Sequence, residues 1–354
     1  MSQKHFTLSK VEKLPNSTVQ IEGEVAEGLV TKHRAQAIKT IQKTAEVDGF
    51  RKGHVPEHII IERFGEMSIL NEAAEEALNE VYPSIIESEK LYVLGAPEVA
   101  ITKLAPGNPL GFRITVAILP EFKLPDVKKI AKAEMAKGDD VAVTEKDIDD
   151  VALEIRKNYA HDQLHKGSGA HDHNHREVTG EDLPALDDEF VKKIGDFTDL
   201  ADFRTKAKEN LEKEKAFRAR EKKRMATLEA ILEKTEVSVP KVLVESELAK
   251  MLGQFQDDIT RAGANFEEYL KRVKKTEDDI KKEWREPAEK KAKVQLIINK
   301  ISEDEKIAPD AEKIRAETEK LLLAYQGVDP VRARAYVAQM MLNEKVMEFL
   351  EEQK

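Results

Sequence analysis

The chain has no cysteine among its 354 residues. That excludes disulfides, thiolate nucleophiles and thiolate-held zinc. Aromatic residues make up only 5%, too few for a single large aromatic-rich core. No apolar run approaches the roughly 20 residues a membrane helix needs, and Met1-Ser2-Gln3-Lys4-His5-Phe6 lacks the apolar heart of a secretion signal. A cytoplasmic protein is expected. Nucleophile elbow, phosphate-binding loop and glycine-rich dinucleotide turn are all missing. The 68 acidic residues sit mostly at helical-surface spacing beside Lys or Arg, as a solvated face does. Neither an enzyme nor a cofactor is expected.

What is present is charge. Charged residues make up 36% against 40% apolar, with a formal net charge of −10. This balance favours long solvated helices, and the length suggests two or three domains. The net charge repels DNA and anionic membranes, so any contact with RNA must come from a local basic patch.

Residues 17–30 alternate with Val19, Ile21 and Val25 on one face, which fits a strand. Helical spacing follows from Thr31 to Glu46 through Ala35, Ile38, Ile41 and Ala45. A second helix is expected from Met67 to Lys90, burying Ile69, Leu70, Ala73, Ala77, Leu78 and Val81, with Pro83 inside it. Strand character returns at Glu98–Leu104 and Gly111–Leu119, split by Ala105-Pro106-Gly107-Asn108-Pro109. Thr144 and Asp147 read as the capping box of a helix reaching Tyr159. The remainder, from Asp187, reads as helices without strands. The expectation is an α+β module over 1–130, a linker helix and flexible loop over 131–183, and an elongated all-α domain with arms over 184–354.

The run Gly49-Phe50-Arg51-Lys52-Gly53-His54-Val55-Pro56 sets a ring and two adjacent cations between two glycines. Glycine lets the backbone turn tightly, and Pro56 can start the next helix. Phe50, Arg51 and Lys52 have no local apolar face to bury against, the chemistry of a docking element aimed at an acidic partner. The stretch from Arg204 to Lys234 carries 11 basic and 6 acidic residues and would span about 45 Å as a helix. Its polar middle, Glu212–Arg224, reads as solvated or as a bridge between bodies of the fold.

Two apolar stripes follow, one through Leu248, Met251, Leu252, Phe255 and Ile259, the other through Val294, Ile297, Ile298 and Ile301. Asp329-Pro330 then opens a last helix carrying Val337, Met340, Met341, Val346, Met347 and Leu350. Most of these positions read as core. Met251, Phe255, Met340 and Met341 are candidates for an open apolar surface, since flexible Met side chains suit promiscuous contacts. Five of the nine histidines fall between 161 and 175, and His171, His173 and His175 could ligate nickel, zinc or copper. The competing reading, a solvated His-rich linker, is favoured because no carboxylate scaffold fixes a geometry.

The Gly49–Pro56 run closely resembles the ribosome-docking signature of the trigger factor family. Leu183–Phe190 is similar to that family's entry into its helical C-terminal domain, as are Val239–Glu247 and Met251–Phe255, and Trp284–Glu289 resembles that domain's second arm. The resemblance covers nearly the whole chain. It implies an ATP-independent chaperone that docks on the large ribosomal subunit near the tunnel exit and holds nascent or unfolded polypeptides in a helical cradle. Phe50, Arg51 and Lys52 would make the ribosome contact, and Gly49 and Gly53 would shape the loop. A homodimer stays open. The family normally carries an FKBP-type peptidyl-prolyl isomerase domain, yet only the His-rich loop lies between Tyr159 and Leu183, too short for one. The alternatives are a folding isomerase, a metal-handling protein through the histidines, and a holdase that works away from the ribosome.

Overall fold

The computed structural model describes residues 5–44, 46, 50–51, 53–138, 141–165, 183–325 and 327–353. In chain order the first elements are β1 (Phe6–Leu14), β2 (Thr18–Val25), α1 (Glu27–Thr44), α2 (Glu57–Phe64), α3 (Glu66–Ser88), β3 (Val93–Lys103) and β4 (Leu110–Ile118). Helices follow: α4 (Val127–Met135), α5 (Glu145–His165), α6 (Asp188–Ile194), α7 (Leu200–Glu233) and α8 (Lys241–Arg261). The last are α9 (Phe266–Val273), α10 (Glu277–Asp304), α11 (Ala311–Ala324) and α12 (Pro330–Glu351). They pack as two units interleaved in sequence, one from residues 1–123 and 235–300, the other from 124–234 and 301–354.

The first unit is built on an antiparallel sheet of order β1-β2-β4-β3. Alternation on β2 works as expected: Val19, Ile21 and Val25 lie opposite Val116, Ile114 and Leu110 of β4, all buried. Gly23 faces Phe112 in the same register. A Cβ at Gly23 would overlap the Thr7 carbonyl oxygen and come within 2.8 Å of the Phe112 ring, so the ring's place in the core depends on glycine there. Leu70, Ala74, Ala77, Leu78, Val81 and Ile85 of α3 close this core, and α3 runs through Pro83 unbroken. A smaller cluster joins Ala37 and Ile38 of α1, Val55, Ile60 of α2 and Ile69 of α3.

Several boundaries differ from the sequence reading. The strand expected over 17–30 ends at Val25, and α1 starts at Glu27 instead of Thr31. Leu29 and Val30, adjacent in sequence, are both buried by α1, so they continue an apolar run while belonging to a helix. β1 has no counterpart in the sequence reading: of its nine residues only Phe6 is fully buried. β3 begins at Val93, five residues before the expected start.

In the second unit Thr144 and Asp147 form the expected capping box. The Thr144 N–H donates to Asp147 Oδ2 at 2.7 Å and the Asp147 N–H to Thr144 Oγ1 at 3.3 Å. Asp147 also accepts from Lys215 of α7 at 2.9 Å. These bonds, the Thr144 N–H first among them, hold its carboxyl well below the usual range. α5 does not stop at Tyr159 but runs to His165, which removes His161 and His165 from the expected flexible loop. Tyr159 and Phe190 pack edge to face at 5.3 Å, as do Phe197 and Phe203 at 5.2 Å, around Ala152 and Val191. The expected Asp329-Pro330 start holds: Asp329 accepts from the N–H groups of Val331 at 2.7 Å and Arg332 at 3.0 Å.

The 34-residue helix α7 is as long and polar as expected, with Phe217 and Met225 exposed, and it packs against α4, α5 and α12. Its middle, expected to be solvated or to bridge between bodies of the fold, ends on a buried cation. Arg224 donates Nε to Glu351 at 2.7 Å and Nη2 to Glu344 at 2.7 Å, both on α12.

Candidate functional site

The loop between α1 and α2 is braced by one residue, Gln42. Its backbone carbonyl accepts the Gly53 N–H at 2.7 Å, and its side-chain Nε2 donates to the Val55 carbonyl at 2.8 Å. A tight turn closes inside this brace, with the His54 N–H donating to the Arg51 carbonyl at 3.0 Å. Gly53 takes φ +84°, a region that costs an L-residue about 1–2 kcal/mol. Open space surrounds its missing Cβ, so conformation and not room demands the glycine. Val55 buries into the cluster of Ile38, Ile60 and Ile69, and the Pro56 carbonyl accepts the N–H groups of Ile59 and Ile60 as α2 begins. The loop is therefore fixed along its C-terminal limb.

That brace leaves Phe50 41% exposed and Arg51 exposed beside it. Among the described residues no ion pair holds Arg51. Lys39 and Lys43, on the last turns of α1, are exposed as well. Residues 39–54 hold four Lys or Arg against two acids, a local cationic patch in an acidic protein. Gly49 and Lys52, the other expected docking residues, lie outside the described residues.

Below the loop the three helices are tied by Arg34. Its fork donates to Glu66 at 2.8 and 3.0 Å and its Nη1 to Glu57 at 2.9 Å. The bond from Arg34 holds the Glu66 carboxyl below its ordinary range. Nearby, Glu80 accepts from Lys32 at 3.1 Å and lies 2.8 Å from His33 Nε2. Replacing Gln42 with alanine should remove the bond to Val55 at a cost of about 1 kcal/mol. Faster protease nicking between α1 and α2, with little change in global unfolding, is the expected readout.

The four apolar candidates fall in different units. Met251 and Phe255 are on α8. Met251 packs half-buried against the cluster of Val244, Leu248, Ala288 and Leu296. Phe255 meets Phe266, Tyr269 and Trp284 edge to face at 6.0, 5.5 and 5.3 Å. Met340 and Met341 are on α12, the first exposed and the second half-buried. The most exposed apolar side chains of these helices are ones sequence reasoning passed over. At the turn joining α11 to α12, Leu323 is 85% and Val331 78% exposed, with Tyr325 and Tyr336 open beside them. Large apolar side chains left this open are uncommon on a folded surface.

His171, His173 and His175 lie outside the described residues. Among the described residues no group of His, Asp and Glu could hold a metal ion. Nor is any described helix long and apolar enough to cross a membrane.

Two family models match the chain. The bacterial trigger factor protein model covers residues 8–155, and its C-terminal counterpart covers 199–354. The isomerase domain has no family-model match. A trigger factor from Moorella thermoacetica is 27% identical over 397 residues, spanning 91% of this chain and 88% of that protein. Another, from Halalkalibacterium halodurans, is 25% identical and spans 92% of each. The first alignment is longer than this whole chain, so the relative carries residues with no counterpart here. A solved structure concerning promiscuous substrate recognition by the trigger factor chaperone aligns over 97% of this chain and 99% of that one. Its TM-score is 0.55 at 18% sequence identity, which establishes likeness of fold.

Proposed function

Because the chain belongs to the trigger factor family, we propose that it is an ATP-independent, cytoplasmic chaperone that docks on the large ribosomal subunit and holds unfolded segments. The observation that carries this reading is the braced loop, which keeps Phe50 and Arg51 out in solvent at the cost of a glycine-only conformation at Gly53. An aromatic ring with adjacent cations suits a surface of phosphates and carboxylates: the guanidinium forks onto either, and the ring supplies apolar area. By the family resemblance, Lys52 supplies a second cation and Gly49 a second glycine in the motif. Residues 1–130 would be the docking domain and 184–354 the holding domain.

Holding would fall to open apolar surface, with Leu323, Val331, Tyr336 and Met340 as principal contributors and Met251, Phe255 and Met341 as lesser ones. Scattered contacts of this kind bind many sequences weakly, and release then follows from modest affinity. The relatives' extra residues and the missing isomerase match favour a chain without prolyl isomerase activity, and no step needs a cofactor. Aggregation of a chemically denatured client, followed by light scattering without nucleotide, tests the reading. Suppression near stoichiometric amounts is expected. The variant Leu323→Ser/Val331→Ser/Tyr336→Ser should need about tenfold more protein for equal suppression. No suppression by the wild type would refute holding, and acceleration of a proline-limited refolding step would refute the missing isomerase activity.

A further inference from the structure

β3 is an edge strand, paired with β4 alone. Every second residue of such a strand turns its N–H and C=O away from the sheet. From Glu98 to Lys103 all six residues are exposed, and among the described residues their backbone bonds go only to β4. Val99 and Ile101 lie opposite Ile114 and Phe112, on the side of the sheet that holds the core. Yet they are 49% and 36% exposed, because the helical layer burying Ile114 and Phe112 leaves this edge open.

The opposite edge is blunted. β1 presents Lys10, Glu12 and Lys13, with Lys10 and Glu12 paired at 2.7 Å, and its register shifts between Leu8 and Lys10. Charges and bulges of this kind discourage strand addition. On β3 itself, pairing is interrupted between Leu94 and Glu98 and its register shifts again between Ile101 and Lys103, and Gly95 lies against Val242 of α8. The inviting stretch is thus confined to Glu98–Lys103, with the regular ladder and both apolar residues between Glu98 and Ile101. Open backbone valences beside two alternate apolar side chains match an extended polypeptide, whose backbone completes the ladder while its own alternate side chains cover Val99 and Ile101.

We propose that the Glu98–Lys103 edge of β3 is a polypeptide-binding site that captures extended segments of unfolded chains by strand addition. A helix cannot occupy it, since its backbone bonds are already made. A second copy fits poorly. The two-fold pairing that matches both apolar residues sets Val99 against Ile101 and Lys103 against Pro97, which has no N–H to give. So short an edge contact also falls below the roughly 1,200 Å² of a stable dimer.

The inference rests on the chaperone reading, and the test separates the two. The probe is a fluorescein-labelled peptide, Lys-Val-Thr-Ile-Thr-Val-Lys, titrated into the full chain by anisotropy, with hydrogen exchange followed at residues 98–103. The expected result is binding with slowed exchange at these amides, and none by the same peptide N-methylated at alternate residues. Val99→Lys/Ile101→Lys, at positions exposed enough to keep the fold (checked by far-UV circular dichroism), should bind about tenfold more weakly. Equal binding by this variant, or slowed exchange only at other segments, overturns the edge site while leaving client holding intact. Exchange already slow without peptide, together with a sedimenting dimer, assigns the edge to a second copy and also overturns it. If the wild type ignores both the peptide and a denatured client, the edge site and the chaperone reading fall together.

Discussion

Replacing Arg224 with alanine is expected to destabilise the unit containing α7 and α12 by about 3 kcal/mol. Every donor of this buried guanidinium is committed. Nε and Nη2 reach the two oxygens of Glu351 at 2.7 and 3.2 Å, and Nη1 and Nη2 reach those of Glu344 at 3.0 and 2.7 Å. Glu221 accepts a further contact from Nη1 at 3.4 Å. Removing the cation leaves two carboxylates facing each other without a charge between them, which costs more than the pair contributed net. The effect stays at the low end for a buried pair because Arg220 still holds Glu351 by two bonds of 2.7 Å. Arg220→Ala, at an exposed position, should cost less than about 1 kcal/mol. Urea unfolding of the two variants side by side checks the contrast.

The same cluster sets a pH dependence. Hydrogen bonds from Arg220, and then from Arg224, hold the Glu351 carboxyl down to about 2, and Arg224 lowers Glu344 as well. A carboxylate whose folded pKa is depressed stabilises the fold fully above its unfolded value, near 4.5. That contribution is lost as pH falls from there through 2. Urea midpoints measured from pH 7 down to pH 2.5 should therefore drop below about pH 4.5, and drop less in Glu351→Gln than in the wild type.

Much of this architecture can be read from local pattern. The buried stripe of α3, from Ile69 to Val81, follows helical spacing, and β2 alternates cleanly, so both were legible. The capping residues Thr144 and Asp329 act on neighbours two or three positions away. What escaped is what depends on distant partners. β1 reads as polar because its outer side faces solvent, and only pairing with β2 makes it a strand. Arg224 looks like one more charge on a solvated arm, since Glu344 and Glu351 come 120 and 127 positions later. For the site, the Gly49–Pro56 motif stood out by composition, but the brace from Gln42 did not, being an ordinary polar residue in the last turn of α1. Periodicity also cannot tell which apolar residues stay open. Leu323 and Val331 flank a turn whose packing leaves them in solvent, while Met251 on its regular stripe packs against a core.

The larger effect lies at the loop. Phe50 and Arg51 are exposed on a brace that their own side chains do not build, so truncating them should remove contact without unfolding the domain. Phe50→Ala/Arg51→Ala/Lys52→Ala is expected to weaken ribosome binding about a hundredfold while leaving stability within about 0.5 kcal/mol. Added salt should weaken the wild type as well, since two of the three groups act by charge. Gly53→Ala, by contrast, keeps all three side chains and strains the backbone at position 53. It should give an intermediate loss together with a small loss of stability. The direct measurement is co-sedimentation of purified ribosomes with the wild type and the triple variant at matched concentrations. Wild type in the ribosome pellet with the folded triple variant left in the supernatant is the result predicted here, and equal pelleting of the two would contradict the assignment of this loop as the docking element.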